Sequence, residues 1–464
     1  MKILIVTAWY KPFIHPRAHR WAALAEHWAS KGHEVHVLTA RVRDHSKSGV
    51  MQGVHIHRGG FDSLKEWVYY WFGSRQARGR VGLKPGKPSL ATRLAAWIYT
   101  SIWKNLFFPD DACVWYFPAK RKMRQLLENE HFDAVITVSL PFTGHLVGLL
   151  TFRKFQTFGK LKPFWLADIG DPFSFQAKSP NNAFFYQKKN SRIERKILES
   201  ADALTVTTEA TLRKYSEQFG EKSVEKMFVV PPLITNHQST TPPITPPSPR
   251  LRRINKIGYF GSLYAPTRTP DAFLDLLAQT FAQRPDLRGR LEVHFYGEVF
   301  PAFFEKLSAE RCIQLHGLCS RAEVWAAMKE MDVLLNIGNT TDFQLPSKAV
   351  DYLAAGKPVL NLSYVENDPF AAFFERISAT KLRSEAAYSE NKTEQVSGVL
   401  NLHLSNGKVG DGELHRWLEW LESDKPALGS AEIAERVAPF LVGNIARQYF
   451  RLIESNGVSP TPLG

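Results

Sequence analysis

The pattern of apolar positions near the amino terminus predicts a strand, a helix and a second strand. Residues 2–7 contain a short apolar run, and residues 34–39 contain Val35, Val37 and Leu38; each segment has a length typical of a strand. Residues 17–31 lie between them and end at Gly32, and their apolar side chains fall at helical spacing, at Trp21, Leu24, Ala25 and Trp28. These lengths predict a βαβ unit with parallel strands and a right-handed crossover.

The same alternation continues in two further series. The first has strands over 134–139, 164–167 and 203–207 and helices over 145–154 and 192–200. The second has strands over 257–260, 291–296, 333–335 and 358–360 and helices over 271–284 and 347–355. Alternation of this kind predicts an α/β fold with two Rossmann-like domains, each a doubly wound parallel sheet.

A proline-rich stretch separates the two series. Five prolines between positions 240 and 249 exclude helix and central strand, so residues 237–253 are predicted to form an extended linker. We therefore expect an N-terminal domain over residues 1–236 and a C-terminal domain over residues 254–430.

The last periodic segment, residues 431–455, has apolar positions at helical spacing. Pro439 lies inside it, which predicts a kink or a break into two helices. We expect the final helix to pack back on the N-terminal domain; the alternative is a free amphipathic tail helix.

Residues 62–125 do not follow the alternation and are predicted to be an insertion in the N-terminal domain. The segment mixes aromatic residues with arginine and lysine. A basic, aromatic segment of this kind suits an anionic membrane surface, and it equally suits a cap on the domain's sheet. It carries no recognition-helix, RNP or zinc-knuckle pattern, so nucleic acid is not an expected partner.

Composition narrows the class of protein further. The chain carries a net charge of +14 with a pI of about 9.5, which favours an anionic partner. No segment of the sequence reaches the roughly 18 uninterrupted apolar residues that a membrane-spanning helix needs. The three cysteines form neither a disulfide framework nor a CxxC pair, so we expect a cytoplasmic protein. The net positive charge and the basic, aromatic segment 62–125 suggest in addition that the protein attaches to the inner face of the cytoplasmic membrane.

The loop after the first strand carries a cationic cluster rather than a dinucleotide motif. No GxGxxG follows residues 2–7, which disfavours a nicotinamide cofactor. Instead His15, Arg17, His19 and Arg20 lead into the helix. This cluster suits an anionic or polyhydroxylated acceptor, or is simply an exposed basic first turn.

Two segments of the second half carry groups suited to a diphosphate. Gly261 and Ser262 follow a strand and offer backbone N–H groups, and Arg268 offers a forked cation for phosphate oxygens. Further on, Ser347 is predicted to cap a helix whose first turn holds Lys348. Asp351 lies one turn later and can accept sugar or ribose hydroxyls; on spacing alone, Lys348 and Asp351 could equally form a plain surface ion pair.

The segment Pro-Ser-Lys-Ala-Val-Asp-Tyr-Leu-Ala-Ala-Gly-Lys-Pro-Val, residues 346–359, resembles the donor-site helix of the family 4 glycosyltransferases. The resemblance continues in the segments 17–20, 32–35, 168–173, 201–208, 259–263, 317–324 and 331–333. The resemblance therefore covers most of the chain. It rests on the order and spacing of these motifs together, because no single motif is decisive.

The resemblance implies a GT-B enzyme, with two Rossmann-like domains that face each other across a cleft. The donor would be a nucleotide-diphosphate sugar held by the C-terminal domain, and the acceptor a saccharide or lipid-linked saccharide held by the N-terminal domain. Transfer would retain the anomeric configuration and need neither a metal nor another cofactor. Basic side chains would neutralise the leaving diphosphate, an electrostatic contribution that is often the largest one in catalysis.

Matched by position, the resemblance implies particular site residues. The catalytic ones would be Arg268, Lys348 and Asp351. The donor site would comprise Gly261, Ser262, Arg268, Gly297, Glu298, Gly317, Leu318, Pro346, Ser347, Lys348 and Asp351. The acceptor site would comprise His15, Arg17, His19, Ser139, Asp168 and Asp171.

The chain also departs from the family pattern. The first acidic position of the family's Glu-x7-Glu element falls at Phe343, or at Asp342 if the loop shifts by one residue. Ser139-Leu-Pro stands where relatives place a histidine, and His145 follows six residues later. Gly170 replaces an arginine between two aspartates.

These features support one leading hypothesis and two alternatives. The leading hypothesis is a retaining glycosyltransferase that acts on a polysaccharide or cell-envelope precursor. Because of the departures, the alternatives are a catalytically inactive GT-B scaffold that binds a nucleotide sugar or a partner protein, and a GT-B nucleotide-sugar epimerase.

Overall fold

A computed structural model describes most of the chain. The described residues are 1–13, 15–41, 48–63, 106–155, 161–176, 183–234, 256–265, 268–382, 398–423 and 428–455. The predicted linker over 237–253 and positions 64–105 of the predicted insertion lie outside them. The chain divides into two compact units, Met1–Thr235 with Val442–Gly464, and Asn236–Leu441.

The first unit is built on an eight-stranded sheet. Its strands are β1 (Lys2–Val6), β2 (Glu34–Thr39), β3 (Gly49–Met51), β4 (Val54–Arg58), β5 (Ala134–Val138), β6 (Phe164–Asp168), β7 (Ala203–Val206) and β8 (Met227–Val229). Their order is β3-β4-β2-β1-β5-β6-β7-β8, and only the β3–β4 pair is antiparallel among them. The central strand β5 is buried along its whole length, as expected where helices cover both faces of a parallel sheet.

The helices of the first unit cover both faces of this sheet. They are α1 (Pro16–Ser30), α2 (Tyr116–Asn129), α3 (Thr143–Phe155), α4 (Ala183–Ser200), α5 (Glu209–Phe219) and α13 (Val442–Ser455). The described end of the predicted insertion contributes to this core, because Trp115 is fully buried and donates to the Gly59 carbonyl at 2.8 Å.

The second unit is built on a seven-stranded sheet in the order β11-β10-β9-β12-β13-β14-β15. The strands are β9 (Lys256–Phe260), β10 (Glu292–Tyr296), β11 (Ile313–Gly317), β12 (Val333–Ile337), β13 (Val359–Ser363), β14 (Val399–Ser405) and β15 (Lys408–Val409). The helices are α6 (Asp271–Gln283), α7 (Pro301–Ala309), α8 (Arg321–Glu330), α9 (Ala349–Ala355), α10 (Pro369–Leu382), α11 (Asp411–Glu422) and α12 (Ser430–Val437). Two doubly wound α/β units confirm the predicted fold class.

The helical segment is interrupted at Pro439, as the position of this proline predicts. Helix α12 ends at Val437, a 3-10 turn spans Ala438–Phe440, and α13 begins at Val442. Helix α13 packs on α1, where the Tyr449 ring lies 5.3 Å from that of Trp21. None of the described helices is long and apolar enough to span a membrane.

The start of α9 differs from the prediction. The helix begins at Ala349, so Lys348 occupies the N-cap position and no side chain caps the helix. Ser347 is exposed and lies one residue too early to accept from the first turn. The carboxyl end agrees, because Gly356 closes the helix at a φ of +63°, and a Cβ there would lie 2.3 Å from Cδ1 of Ile433.

Candidate functional site

The loops after β9, β10 and β11 form one connected rim at the carboxyl ends of these strands, where doubly wound sheets bind ligands. The Gly297 amide donates to the Gly317 carbonyl at 2.8 Å, and the Leu263 amide donates to the Glu298 carbonyl at 2.9 Å. Gly297 has a φ of +136°, and a Cβ there would lie 2.2 Å from the Gly261 carbonyl oxygen. Glycine is therefore required at position 297, where the loop after β10 meets the loop after β9.

Arg268 is anchored beside this rim. Its Nη2 donates to Oδ1 of Asn339 at 2.7 Å, and its guanidinium carbon lies 5.9 Å from the centre of the Tyr264 ring. The Arg268 Nε is buried and has no hydrogen-bond partner. Because a buried unpaired donor is costly, an anionic ligand that accepts from this guanidinium would relieve the cost.

Lys348 and Asp351 form an ion pair, and Arg321 joins it. Lys348 Nζ lies 3.0 Å from one carboxylate oxygen of Asp351, and Arg321 Nη2 lies 2.9 Å from the other. The Asp351 side chain is 6% exposed, whereas those of Lys348 and Arg321 are 27% and 25% exposed. The carboxylate thus holds two cations whose outer parts reach solvent.

Arg321 was not among the predicted site residues. It begins α8, and the Ser320–Glu323 capping box fixes the backbone at that point. The spacing of thirty residues between Arg321 and Asp351 carries no local signal, so only the packing of α8 against α9 reveals the contact.

The two candidates for the family's first acidic position differ in exposure. Phe343 is buried at 5% exposure, and Asp342 is exposed. In the same loop, Oδ1 of Asn339 accepts from Arg268, and Nδ2 of Asn339 donates to the Gln344 carbonyl at 3.0 Å.

The other predicted donor residues have varied surroundings. The Ser262 carbonyl accepts from the Tyr259 hydroxyl at 3.2 Å, Leu318 is 78% exposed, and Pro346 is buried. The donor role of each of these residues stays a prediction.

In the first unit, Asp168 at the end of β6 lies at the centre of a buried polar network. Arg17 forms an ion pair with its carboxylate. The other donors are the Thr205 hydroxyl at 2.7 Å, the Tyr449 hydroxyl at 2.7 Å and the Trp21 indole at 3.2 Å. Burial opposes the charged form, but Arg17, Arg20 and the hydrogen bonds from Thr205 and Tyr449 hold the pKa of Asp168 below its ordinary value.

Arg17 packs against the backbone of Gly170, the position where the family pattern has an arginine. A Cβ at residue 170 would lie 2.6 Å from the guanidinium carbon of Arg17. The guanidinium of Arg17 therefore occupies the space that a side chain at position 170 would need. Arg17 and Asp168 are 8% and 2% exposed, and their predicted contact with an acceptor stays a prediction.

Ser139 and His145 lie next to this network. The Ser139 hydroxyl accepts from the Gly170 amide at 3.0 Å. His145 is fully buried, its Nδ1 lies 2.8 Å from the Thr137 hydroxyl, and its Nε2 has no hydrogen-bond partner. Burial lowers the pKa of His145 to about 3, so the ring is neutral at physiological pH.

The remaining predicted acceptor residues lie nearer the surface. His15 is the N-cap of α1, where Nδ1 accepts from the Arg17 amide at 3.2 Å. Burial, together with Arg17 and His19, lowers the pKa of His15 to about 4. His19 and Asp171 are half-buried, so these three side chains are the more accessible members of the predicted acceptor set.

Comparison with known proteins gives a family match for the first unit. Residues 18–233 match the model described as "Glycosyl transferase 4-like domain". Among curated proteins, none matches the chain in sequence.

Several solved structures share the fold over nearly the whole chain. Sucrose-phosphate synthase from Thermosynechococcus elongatus is 14% identical with a TM-score of 0.56, covering 98% of this chain and 98% of its own. A glycosyltransferase from Rickettsia africae is 9% identical with a TM-score of 0.56 and the same coverage. HepE from Anabaena, in complex with UDP and glucose, is 14% identical with a TM-score of 0.53, covering 98% and 100%. This likeness confirms the predicted GT-B fold.

Proposed function

We propose that the chain is a retaining glycosyltransferase with a nucleotide-diphosphate sugar as donor; the match of residues 18–233 to the glycosyl transferase 4-like domain model supports this. The observation that carries the proposal is the set of cations at the loop rim of the second unit. Arg268 keeps a buried unpaired donor, and Lys348 and Arg321 both reach solvent over Asp351. Cations beside such loops suit a diphosphate, whose oxygens accept from backbone N–H groups and from side chains.

In the proposed reaction these cations stabilise the leaving nucleoside diphosphate. As the bond between the anomeric carbon and the diphosphate oxygen breaks, negative charge grows on that oxygen, and Arg268 and Lys348 neutralise it. The acceptor hydroxyl attacks the anomeric carbon on the face from which the diphosphate leaves, forms the new glycosidic bond, and passes its proton to an oxygen of the departing diphosphate. Because side-chain cations meet the developing charge, the proposed transfer needs no metal ion.

Asp351 has a double role in this proposal. Its carboxylate already holds Lys348 and Arg321, so it positions the two cations before the donor binds. Each carboxylate oxygen keeps a further lone pair, so contact with a ribose or sugar hydroxyl remains part of the proposal.

We expect the donor to be identified by thermal-shift measurements with UDP, GDP, dTDP, ADP and their common sugars, with and without EDTA. A nucleotide at about 100 times its Kd should add about 2.7 kcal/mol to the free energy of unfolding. The shift should persist in EDTA, disappear in Lys348→Ala and remain in Lys329→Ala, an exposed lysine of α8.

Two outcomes would count against the proposal. Wild-type protein that shifts with no nucleotide would contradict a nucleotide-sugar donor. A shift that is lost only in EDTA would contradict metal independence. The second candidate function is a scaffold that binds a nucleotide sugar without transferring it, because the family's first acidic position falls at Phe343, or at Asp342 if the loop shifts by one residue. Transfer to any acceptor would exclude this scaffold.

The proposed acceptor is a saccharide or lipid-linked saccharide precursor at an anionic membrane surface. Helix α4 supports this, because its exposed Phe185 lies on the same helical face as a row of exposed cations, at Lys188, Lys189, Arg192 and Lys196. A basic face with an aromatic residue suits the interface of an anionic bilayer.

Sedimentation with vesicles tests this surface. Binding should require anionic phosphatidylglycerol, because each cation near such a surface contributes about 1 kcal/mol. The variant Lys188→Glu with Arg192→Glu should lose most of the binding, whereas Lys329→Glu with Lys408→Glu, which changes the net charge equally, should keep it. Equal sedimentation with neutral and anionic vesicles would remove the membrane from the proposal.

A further inference from the structure

A cluster of histidine and carboxylate side chains lies at the amino-terminal ends of β2 and β4. The ligand atoms of Glu34, His36 and His55 all lie within 4.8 Å of one another, and among the described residues this is the one group of three suited to a metal ion. The strands are paired in parallel so that His36 stands directly beside His55, on the same face as Glu34.

The central ring, His36, is already oriented by its neighbours. Its Nδ1 lies 3.0 Å from Nε2 of His57, and its Nε2 lies 3.0 Å from Oε1 of Glu34. Two ligands with bonds of about 2.0 Å around a tetrahedral ion are separated by about 3.3 Å, so the His36–Glu34 pair has nearly this spacing. A proton on His36 Nδ1 would be donated to His57, which is how ligating histidines are usually held.

The second unit holds the same arrangement with one ligand missing. Glu292 and His294 of β10 match Glu34 and His36, and His294 Nδ1 lies 3.0 Å from Nε2 of His316. In that sheet the residue paired with His294 is Gln314 rather than a histidine. The chain therefore contains a matched pair of clusters that differ at the position of His55.

We propose that Glu34, His36 and His55 bind a divalent transition-metal ion of the Zn²⁺ class, with His57 orienting His36. Imidazole nitrogens with one carboxylate favour Zn²⁺ over Mg²⁺, which prefers oxygen ligands. The Glu34 side chain is 38% exposed, which opens the cluster to ions from solvent, and water completes the coordination.

Lys2 is the main competitor for the ion. Its ammonium bridges Glu34 at 2.8 Å and Glu130 at 2.6 Å. The ion would replace Lys2 at Glu34, while Lys2 keeps its pairing with Glu130. Removal of this ammonium should therefore tighten binding of the ion.

Zinc titration of the full-length chain without an affinity tag, by calorimetry at neutral pH, tests the site. We expect one Zn²⁺ per wild-type chain and no comparable uptake of Mg²⁺. His55→Gln, which reproduces the second-unit cluster, should weaken binding at least tenfold, and Lys2→Met should strengthen it.

A second variant, Gln314→His, introduces the missing histidine into the cluster of the second unit. It tests the site even if His55→Gln folds poorly. Gln314→His should add a second bound Zn²⁺ and leave the first unchanged. Equal zinc affinity of wild type and His55→Gln, both with native circular dichroism, would overturn the proposal. So would a wild-type chain that binds no zinc, whatever the Gln314→His chain does.

Discussion

Replacing Asp168 with alanine is expected to lower the free energy of unfolding of the first unit by about 3–5 kcal/mol. The carboxylate is 2% exposed, and its removal leaves the guanidinium of Arg17 buried without its partner. The hydroxyls of Thr205 and Tyr449 lose their acceptor as well. Each unsatisfied buried group adds to the cost, so the loss should exceed that of an ordinary surface substitution.

Denaturant unfolding of Asp168→Ala measures this loss, with Glu225→Ala as an exposed acidic control in the same unit. The double variant Asp168→Asn with Arg17→Met should be less destabilised than the sum of its single variants, because it removes both charges together. Since the folded pKa of Asp168 is depressed, its contribution is present above the ordinary carboxyl pKa of 3.8 and is lost as the pH falls through the lower folded value.

The variant Asp168→Asn distinguishes a structural role of Asp168 from direct contact with the acceptor. If Asp168→Asn keeps wild-type stability but loses transfer activity, the carboxylate contacts the acceptor directly, as the sequence resemblance implies. If stability and activity fall together and low temperature restores both, Asp168 acts through the structure of the unit.

The periodicity of the chain predicts its fold because each element is encoded locally. The buried runs of β5 and β6 and the helical spacing of α1 are short-range signals. The hairpin of β3 and β4 was not predicted, since residues 49–58 contain no long apolar run and residues 54–57 alternate apolar residues with histidine.

The contacts of the candidate site are harder to predict from the sequence than the fold, because they join residues that are far apart in the chain. Tyr449 donates to Asp168 across 281 positions, and Arg321 reaches Asp351 across thirty. Ser347 illustrates a different limit, since the N-cap of α9 lies one residue later, at Lys348, and this difference removes the predicted cap. Motif spacing identifies which residues are candidates, but it does not show which are buried in ion pairs.

Replacing Arg268 with alanine should lower kcat for transfer by about 10²–10³-fold, the effect of losing one group aimed at developing negative charge. Its Nη2 is fixed by Asn339, so the guanidinium is held in place before the donor binds. The charge on the diphosphate increases as the sugar leaves. The interaction is therefore stronger in the transition state than in the ground state, and kcat should fall more than KM rises.

Steady-state kinetics with the donor found by thermal shift measures this effect, and Arg311→Ala serves as an exposed arginine control in the same unit. Arg268→Lys should recover part of the rate, because an ammonium supplies the charge without the forked geometry. Asn339→Ala should cost less than Arg268→Ala, because it loosens the guanidinium but keeps it. A rise in KM with kcat unchanged would mean that Arg268 binds donor and transition state equally, and the proposed stabilisation of the leaving diphosphate would then have to come from Lys348 and Arg321.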